Sequence, residues 1–321
     1  MTRTPAAVAP SKDVVSEDAV SEAVVSEELG GAAVVEAVPV GHRGSLSPSR
    51  ASDFMTCPLL YRFRVVDRLP EAPSPAAVRG TVVHQVLEDL FGLPADQRTL
   101  ERAVGMLPAA WDTLLEQEPD AIEMFDSPAD AATWVGEAAP LLEKYFALED
   151  PTAFEPTERE MAVSTTLEDG LVLRGFIDRL DTNAAGQTRV VDYKTGRAPT
   201  PGFESKALFQ MRFYALVLWR STGVLPRLLQ LLYLGNGEIL RYEPDEADLR
   251  ATERKVSALW TAITRAYETG DWRPSPSRLC DWCDHKALCP AFGGTPPPLP
   301  EVSLDAVVAT ASAEVGPEAL A

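Results

Sequence analysis

The sequence predicts an α/β fold, a mixed sheet flanked by helices, and three observations carry that expectation. Residues 171–181 (LVLRGFIDRLD) and 188–194 (TRVVDYK) are apolar, β-branched stretches on either side of the turn-forming Asn183-Ala-Ala-Gly186, and they read as a β-hairpin. Helical patterns bracket that hairpin at 76–93 and 203–221. Further strand-like runs follow at 227–234 (RLLQLLYL) and 238–242.

In chain order, residues 46–74 hold a short helix around Cys57, and residues 76–93 a helix with Val82, Val83, Val86 and Leu90 on its core face. Residues 94–153 are helical and acidic with scattered aromatics (Trp111, Phe125, Trp134, Tyr145, Phe146), the pattern of an inserted helical subdomain. Strands at 157–167, 171–181 and 188–194 precede the helix at 203–221, which packs Leu208, Met211, Ala215, Leu218 and Trp219 on one face. The strands at 227–234 and 238–242 come next, then a long helix over 245–268. One folded domain over 46–292 results. Residues 1–45 repeat Val-Ser-Glu at five-residue intervals, and residues 293–321 are rich in proline and acids; both read as disordered tails.

Chemistry concentrates on the hairpin. With the turn centred near Ala185, Asp178 and Asp192 face each other across the ladder, where Cβ atoms are about 5 Å apart and like charges repel. A hard cation such as Mg²⁺ or Mn²⁺ between them turns that repulsion into a binding site. Strand alternation puts Lys194 on the same face as Asp192, with Val191 and Tyr193 on the other. An ammonium there can orient water and offset phosphate charge. Taken alone, a D-x-K string equally fits an ordinary surface ion pair.

Other segments add to it. Gly80-Thr-Val-Val-His84 places His84 at the edge of a helix, one turn above a glycine that leaves room for a ligand. Gln210 and Tyr214 are neighbours one turn apart on the helix after the D-x-K strand. The four cysteines are Cys57 and Cys280-x2-Cys283-x5-Cys289. Four thiolates with none to spare suit tetrahedral zinc or an iron–sulfur cluster, and spacing alone leaves both open. Either centre would tie together ends separated by 222 residues.

These motifs, in this order, resemble the PD-(D/E)XK nuclease superfamily, specifically its RecB-type exonuclease branch with AddB-like subunits and CRISPR-associated iron–sulfur exonucleases. The resemblance covers nearly all of the chain between the tails. It implies a restriction-endonuclease-like core and a catalytic metal held by His84, Asp178, Asp192 and the Tyr193 carbonyl. Lys194 would position the attacking water, and Gln210 and Tyr214 would support the site or contact the substrate backbone. It also implies a [4Fe–4S] cluster on Cys57, Cys280, Cys283 and Cys289, a structural staple between the 280–289 segment and the start of the domain. The implied activity is metal-dependent DNA exonuclease action at DNA ends in repair or recombination. The alternatives are a CRISPR-adaptation-type or restriction-like endonuclease, or a non-catalytic DNA-binding module of a helicase–nuclease complex.

Composition bounds the rest. No G-x-x-x-x-G-K-[ST] string occurs, so any unwinding motor is a separate helicase or repair partner. No signal peptide or membrane-length apolar run is present, which with four unpaired-looking cysteines predicts a reducing cytoplasm and no membrane partner. Net charge is −19; residues 1–45 carry −4 and residues 292–321 four acids and no base, so the domain itself stays acidic at −11. Any basic groove must therefore be local, with Arg62, Arg64 and Arg68 as candidates.

Overall fold

The structure is a computed structural model that describes residues 44–200, 202 and 204–300. It opens with strand β1 (Ser45–Leu46), followed by helices α1 (Pro48–Thr56) and α2 (Pro58–Tyr61) and a π-helical turn over Arg62–Val66. The expected single helix around Cys57 is two. Pro58 disfavours helical backbone in the residue before it, so Cys57 is extended at φ −161°, ψ 114° and stands at the joint. Helix α3 (Pro75–Phe91) carries His84, and α4 (Leu100–Gln117), α5 (Pro128–Gly136) and α6 (Ala139–Leu148) follow. Strands β2 (Glu158–Thr166), β3 (Val172–Thr182) and β4 (Thr188–Lys194) lead into α7 (Ser205–Thr222), β5 (Leu228–Tyr233), β6 (Glu238–Tyr242) and α8 (Glu246–Thr269).

The strands form one mixed sheet in the order β1-β3-β4-β5-β6, with β2 paired to β3. Strand β4 is parallel to β5, and the crossover that parallel pairing demands is α7. Alternation sends Val190, Leu229, Leu231 and Tyr233 into a core with α1, α2, α7 and α8. Val191, Tyr193, Leu232 and Leu234 face the opposite way, into a core with α3 to α6. Helical layers thus cover both faces of the sheet.

The segment expected as an inserted subdomain is part of that second layer. Its helices share one core with α3 and the sheet, and Trp111, Phe125 and Trp134 form an aromatic cluster with ring centroids 5.2–6.1 Å apart. Helix α7 is buried nearly all round, through Phe209, Met211, Phe213, Tyr214, Ala215, Leu216, Val217 and Leu218. It does not show the single apolar face expected of it, because it contacts α8 and α1 as well as the sheet.

Two boundaries move. Ser45, assigned to the tail, pairs in β1 with Val172, while residues 1–43 lie outside the described residues. The tail expected from 293 lies against the fold as far as residue 300: Arg62 donates to the Pro297 carbonyl, the Tyr267 hydroxyl donates to the Pro300 carbonyl at 3.3 Å, and Leu299 packs on the core. Residues 301–321 lie outside the described residues.

Candidate active site

The site forms where β3 and β4 part. Their ladder runs from Thr182↔Thr188 to Arg179↔Val191 and stops there. One step further, the same register sets Asp178 opposite Asp192, as the symmetry of the hairpin predicts. The Tyr193 amide donates to Asp178 Oδ2 at 2.6 Å, so a side chain takes the bond a ladder carbonyl would take. On the other edge of β3, the pairs Arg159↔Arg179 and Met161↔Ile177 put Glu160 opposite Asp178. Glu160, Asp178 and Asp192 therefore form one row across three strands. Glu160 adopts φ +41°, a left-handed conformation that costs a residue with a side chain on the order of 1–3 kcal/mol.

Helix α3 brings His84 onto this row. Its Nδ1 is 3.5 Å from Asp178 Oδ2, and its Nε2 is 3.0 Å from the Tyr193 carbonyl oxygen. A carbonyl only accepts, so this hydrogen bond puts a proton on Nε2 and turns Nδ1 toward Asp178. A backbone carbonyl holding the far nitrogen is a common way to orient a metal-binding imidazole. One ligand atom each from His84, Glu160 and Asp178 lies within 4.8 Å of the others.

Asp192 sits beside this group. Its Oδ1 accepts from Gln210 Nε2 at 3.0 Å. Its Oδ2 lies 2.8 Å from Lys194 Nζ as an ion pair, yet no donor is aligned to hydrogen-bond that buried oxygen. The N/O donors converging from His84, Glu160 and Asp178 beside this ion pair fit a divalent metal such as Mn²⁺ or Mg²⁺.

Burial pushes the Asp192 pKa up, while Lys194 pulls it back. Burial acts to lower the Lys194 pKa, but Asp192 and Asp178 outweigh it and hold the net value above that of an ordinary lysine. The two carboxylates thus favour the ammonium form of Lys194, which can donate and attract.

The Tyr214 ring lies against Gly175, where a Cβ would come within 2.8 Å of Cε1, so the glycine before Phe176-Ile177-Asp178 permits this close approach. Burial raises the Tyr214 pKa well above the ordinary value, and Asp192 and Asp178 add to the rise.

The fold thus gathers Asp178, Asp192, Lys194, His84, Tyr193, Gln210 and Tyr214 at one fork. The Tyr193 carbonyl, expected as a ligand, here accepts from His84 Nε2. Glu160 is the residue the sequence reading missed. Continuing the register from β3 to β2 would have found it, although Glu158 and Glu160 compete as acids two apart.

The four cysteines come together from both ends of the domain and line one recess with Leu59, Leu60, Phe63, Leu279 and Phe292. The Ser275 amide points to Cys57 Sγ at 3.4 Å and the Ser277 amide to Cys280 Sγ at 3.3 Å. Four thiols in an apolar recess with amides aimed at sulfur fit a four-thiolate centre. The arginines considered for a basic groove are largely engaged: Arg62 pairs with Asp67 at 2.9 Å, and Arg64 with Asp53 at 2.7 Å and Glu71 at 2.8 Å.

The gene 69 protein of Mycobacterium phage D29 is 25% identical over 271 residues, covering 77% of this chain and 96% of the phage protein. The gene 69 protein of Mycobacterium phage L5 is 30% identical over 127 residues, covering 39% of this chain and 41% of that one. Among solved structures, a "Putative exonuclease" from Eubacterium rectale aligns over 75% of this chain and 88% of its own at 15% identity, with a TM-score of 0.49. The model of the PD-(D/E)XK nuclease superfamily matches residues 45–290, which takes in every strand of the sheet, the fork and all four cysteines. By that match, the chain belongs to the PD-(D/E)XK nuclease superfamily.

Proposed function

We propose that this nuclease is a metal-dependent DNA exonuclease of RecB type that hydrolyses phosphodiester bonds from DNA ends in repair or recombination, leaving 5′-phosphate and 3′-hydroxyl termini. The observation that carries the reading is the convergence of His84, Glu160 and Asp178 beside the Asp192–Lys194 pair. A bound Mg²⁺ or Mn²⁺ would supply Lewis-acid stabilisation of the phosphate and lower the pKa of water. The chain's own groups do the rest. The Lys194 ammonium positions the attacking water and offsets charge building on the phosphate oxygens. Water oxygen forms the new P–O bond as the P–O3′ bond breaks, water's proton passes to bulk solvent, and the departing 3′ oxygen takes up a proton from solvent. Gln210 holds Asp192 in place, and Tyr214 backs both aspartates from α7.

In this reading the recess of Cys57, Cys280, Cys283 and Cys289 holds a [4Fe–4S] cluster with a structural role; the gathering of four thiols fits a four-thiolate centre, and the resemblance to iron–sulfur nucleases favours the cluster over zinc. Partners under this reading are DNA ends and a separate helicase or repair motor. Among the described residues, no helix is long and apolar enough to cross a membrane.

The test is degradation of linear and covalently closed circular single-stranded DNA with Mn²⁺. Linear DNA should be consumed and circles persist, and Asp178→Ala should leave the linear DNA intact as well. Equal rates on the two forms would favour a restriction-like endonuclease.

A further inference from the structure

Arg179 lies next to Asp178 in the sequence, but its side chain leaves β3 on the opposite face and is wholly buried. An isolated buried guanidinium is strongly disfavoured, so its surroundings must account for it. Its Nη2 donates to Glu149 Oε2 at 2.8 Å, and its Nε to Asp181 Oδ1 at 3.1 Å. The Phe91 and Phe154 rings lie 5.1 and 4.8 Å from its Cζ. Its Nη1 donates to the Tyr193 hydroxyl at 2.7 Å, with the Tyr145 hydroxyl at 3.4 Å. Tyr145 lies on α6 and Glu149 follows it, so the helical layer grips this residue directly.

Tyr193 is where that grip reaches the site. Its amide holds Asp178 at 2.6 Å, and its carbonyl takes the hydrogen bond of His84 at 3.0 Å. Its ring stands edge-on to the His84 ring at 5.8 Å and to the Tyr145 ring at the same distance. Its two peptide groups also carry Asp192 and Lys194. A shift of this one residue therefore moves four groups of the site together, and a misplacement near 1 Å can cost a nuclease about 100-fold.

We infer that Arg179, clamped by Glu149 and Tyr145 of the helical layer, is a positioning residue that holds Tyr193 so that its peptide groups set Asp178 and His84 for the metal. The role rests on the reading that His84, Glu160 and Asp178 bind a divalent cation. It gives the acidic helical segment a part in catalysis that needs no contact with DNA.

The test measures Mn²⁺ affinity by calorimetry, and cleavage against Mn²⁺ concentration, on the full chain. The variants are Tyr193→Phe, Arg179→Lys and the control Arg98→Lys. Arg98 is also a buried arginine of this layer, donating to Leu93, Pro151 and Phe154 carbonyls at 2.9–3.1 Å, but it touches nothing in the site. Tyr193→Phe and Arg179→Lys should weaken Mn²⁺ binding by about tenfold or more, the usual effect of removing a group that orients ligands. Their cleavage rates should recover toward wild type at saturating Mn²⁺. Arg98→Lys should lower the melting temperature and leave Mn²⁺ affinity unchanged. Tyr193→Phe alone decides if Arg179→Lys does not fold. Mn²⁺ binding by Tyr193→Phe within about twofold of wild type, in a protein whose wild type binds Mn²⁺, overturns the positioning role. A wild type that binds no Mn²⁺ removes the metal-site reading itself, and the positioning role with it.

Discussion

Lys194 and Glu160 bear opposite charges on the same site, and that difference separates binding from chemistry. Lys194 is held as an ammonium by Asp192 and Asp178, so it repels a cation while attracting a phosphate. Glu160 adds negative charge and a ligand atom within 4.8 Å of those of His84 and Asp178. Lys194→Ala should therefore abolish cleavage and leave Mn²⁺ binding as tight as wild type or tighter. Glu160→Gln should weaken Mn²⁺ binding while the strained backbone stays in place. Calorimetry beside a cleavage assay checks both, and parallel loss of binding and cleavage in Lys194→Ala would contradict the electrostatic role. Asp178, Asp192 and Lys194 were legible in the sequence because strand alternation and hairpin symmetry need only local counting. Glu160 was not, because finding it takes a second step of register, from β3 to β2, where Glu158 is a rival acid two residues away. Arg179 was not, because its partners Tyr145 and Glu149 are 34 and 30 residues away in the chain.

At the scale of elements, the hairpin and its flanking helices follow from periodicity, and their contacts do not. Strand β3 was expected over 171–181 and is Val172–Thr182; α8 was expected over 245–268 and is Glu246–Thr269. Asp245 caps that helix by accepting from the Asp248 amide at 2.8 Å, and Gly270 ends it at φ +70°, so both boundaries were written locally. Helix α7 defied its expected single face because burial on several sides is set by neighbours, which a helical wheel does not see. Strand β1 has two residues, too few to form a pattern. The contact of α7 with β3 is testable at Gly175. An added Cβ meets the Tyr214 ring at 2.8 Å, with Pro48 Cδ at 3.6 Å closing the other side. Gly175→Ala should destabilise by about 1–3 kcal/mol, as overpacking of a tight core does. Adding Tyr214→Leu should return part of that loss, a non-additivity expected only of residues in contact. Urea unfolding of the two single variants and the double measures it, and strict additivity would mean the two do not press on each other.

For the whole molecule, the question is what joins its ends. In a chain-entropy estimate, closing a loop as long as that between Cys57 and Cys280 is worth about 5 kcal/mol, so a four-thiolate centre there would supply a large share of domain stability. Other contacts tie the same ends. His285 is buried between Cys283 and Cys289 in the sequence, with Nε2 2.8 Å from Glu71 Oε1 and its ring 5.2 Å from Phe63. Arg62 holds the Pro297 carbonyl, and Leu299 packs on the core. The sheet and the fork between β3 and β4 are built from residues outside these contacts. Losing the centre should therefore free the segment from 274 to 292 first and spare the fork. Cys57→Ser should lose iron and sulfide together, gain protease cleavage between 274 and 292, and keep Mn²⁺ affinity at the fork. Anaerobically prepared wild type should be brown, with iron and sulfide in cluster proportion. Stoichiometric zinc without sulfide would replace the cluster by a zinc centre on the same four thiolates, and loss of Mn²⁺ binding in Cys57→Ser would show that the staple and the site fold as one unit.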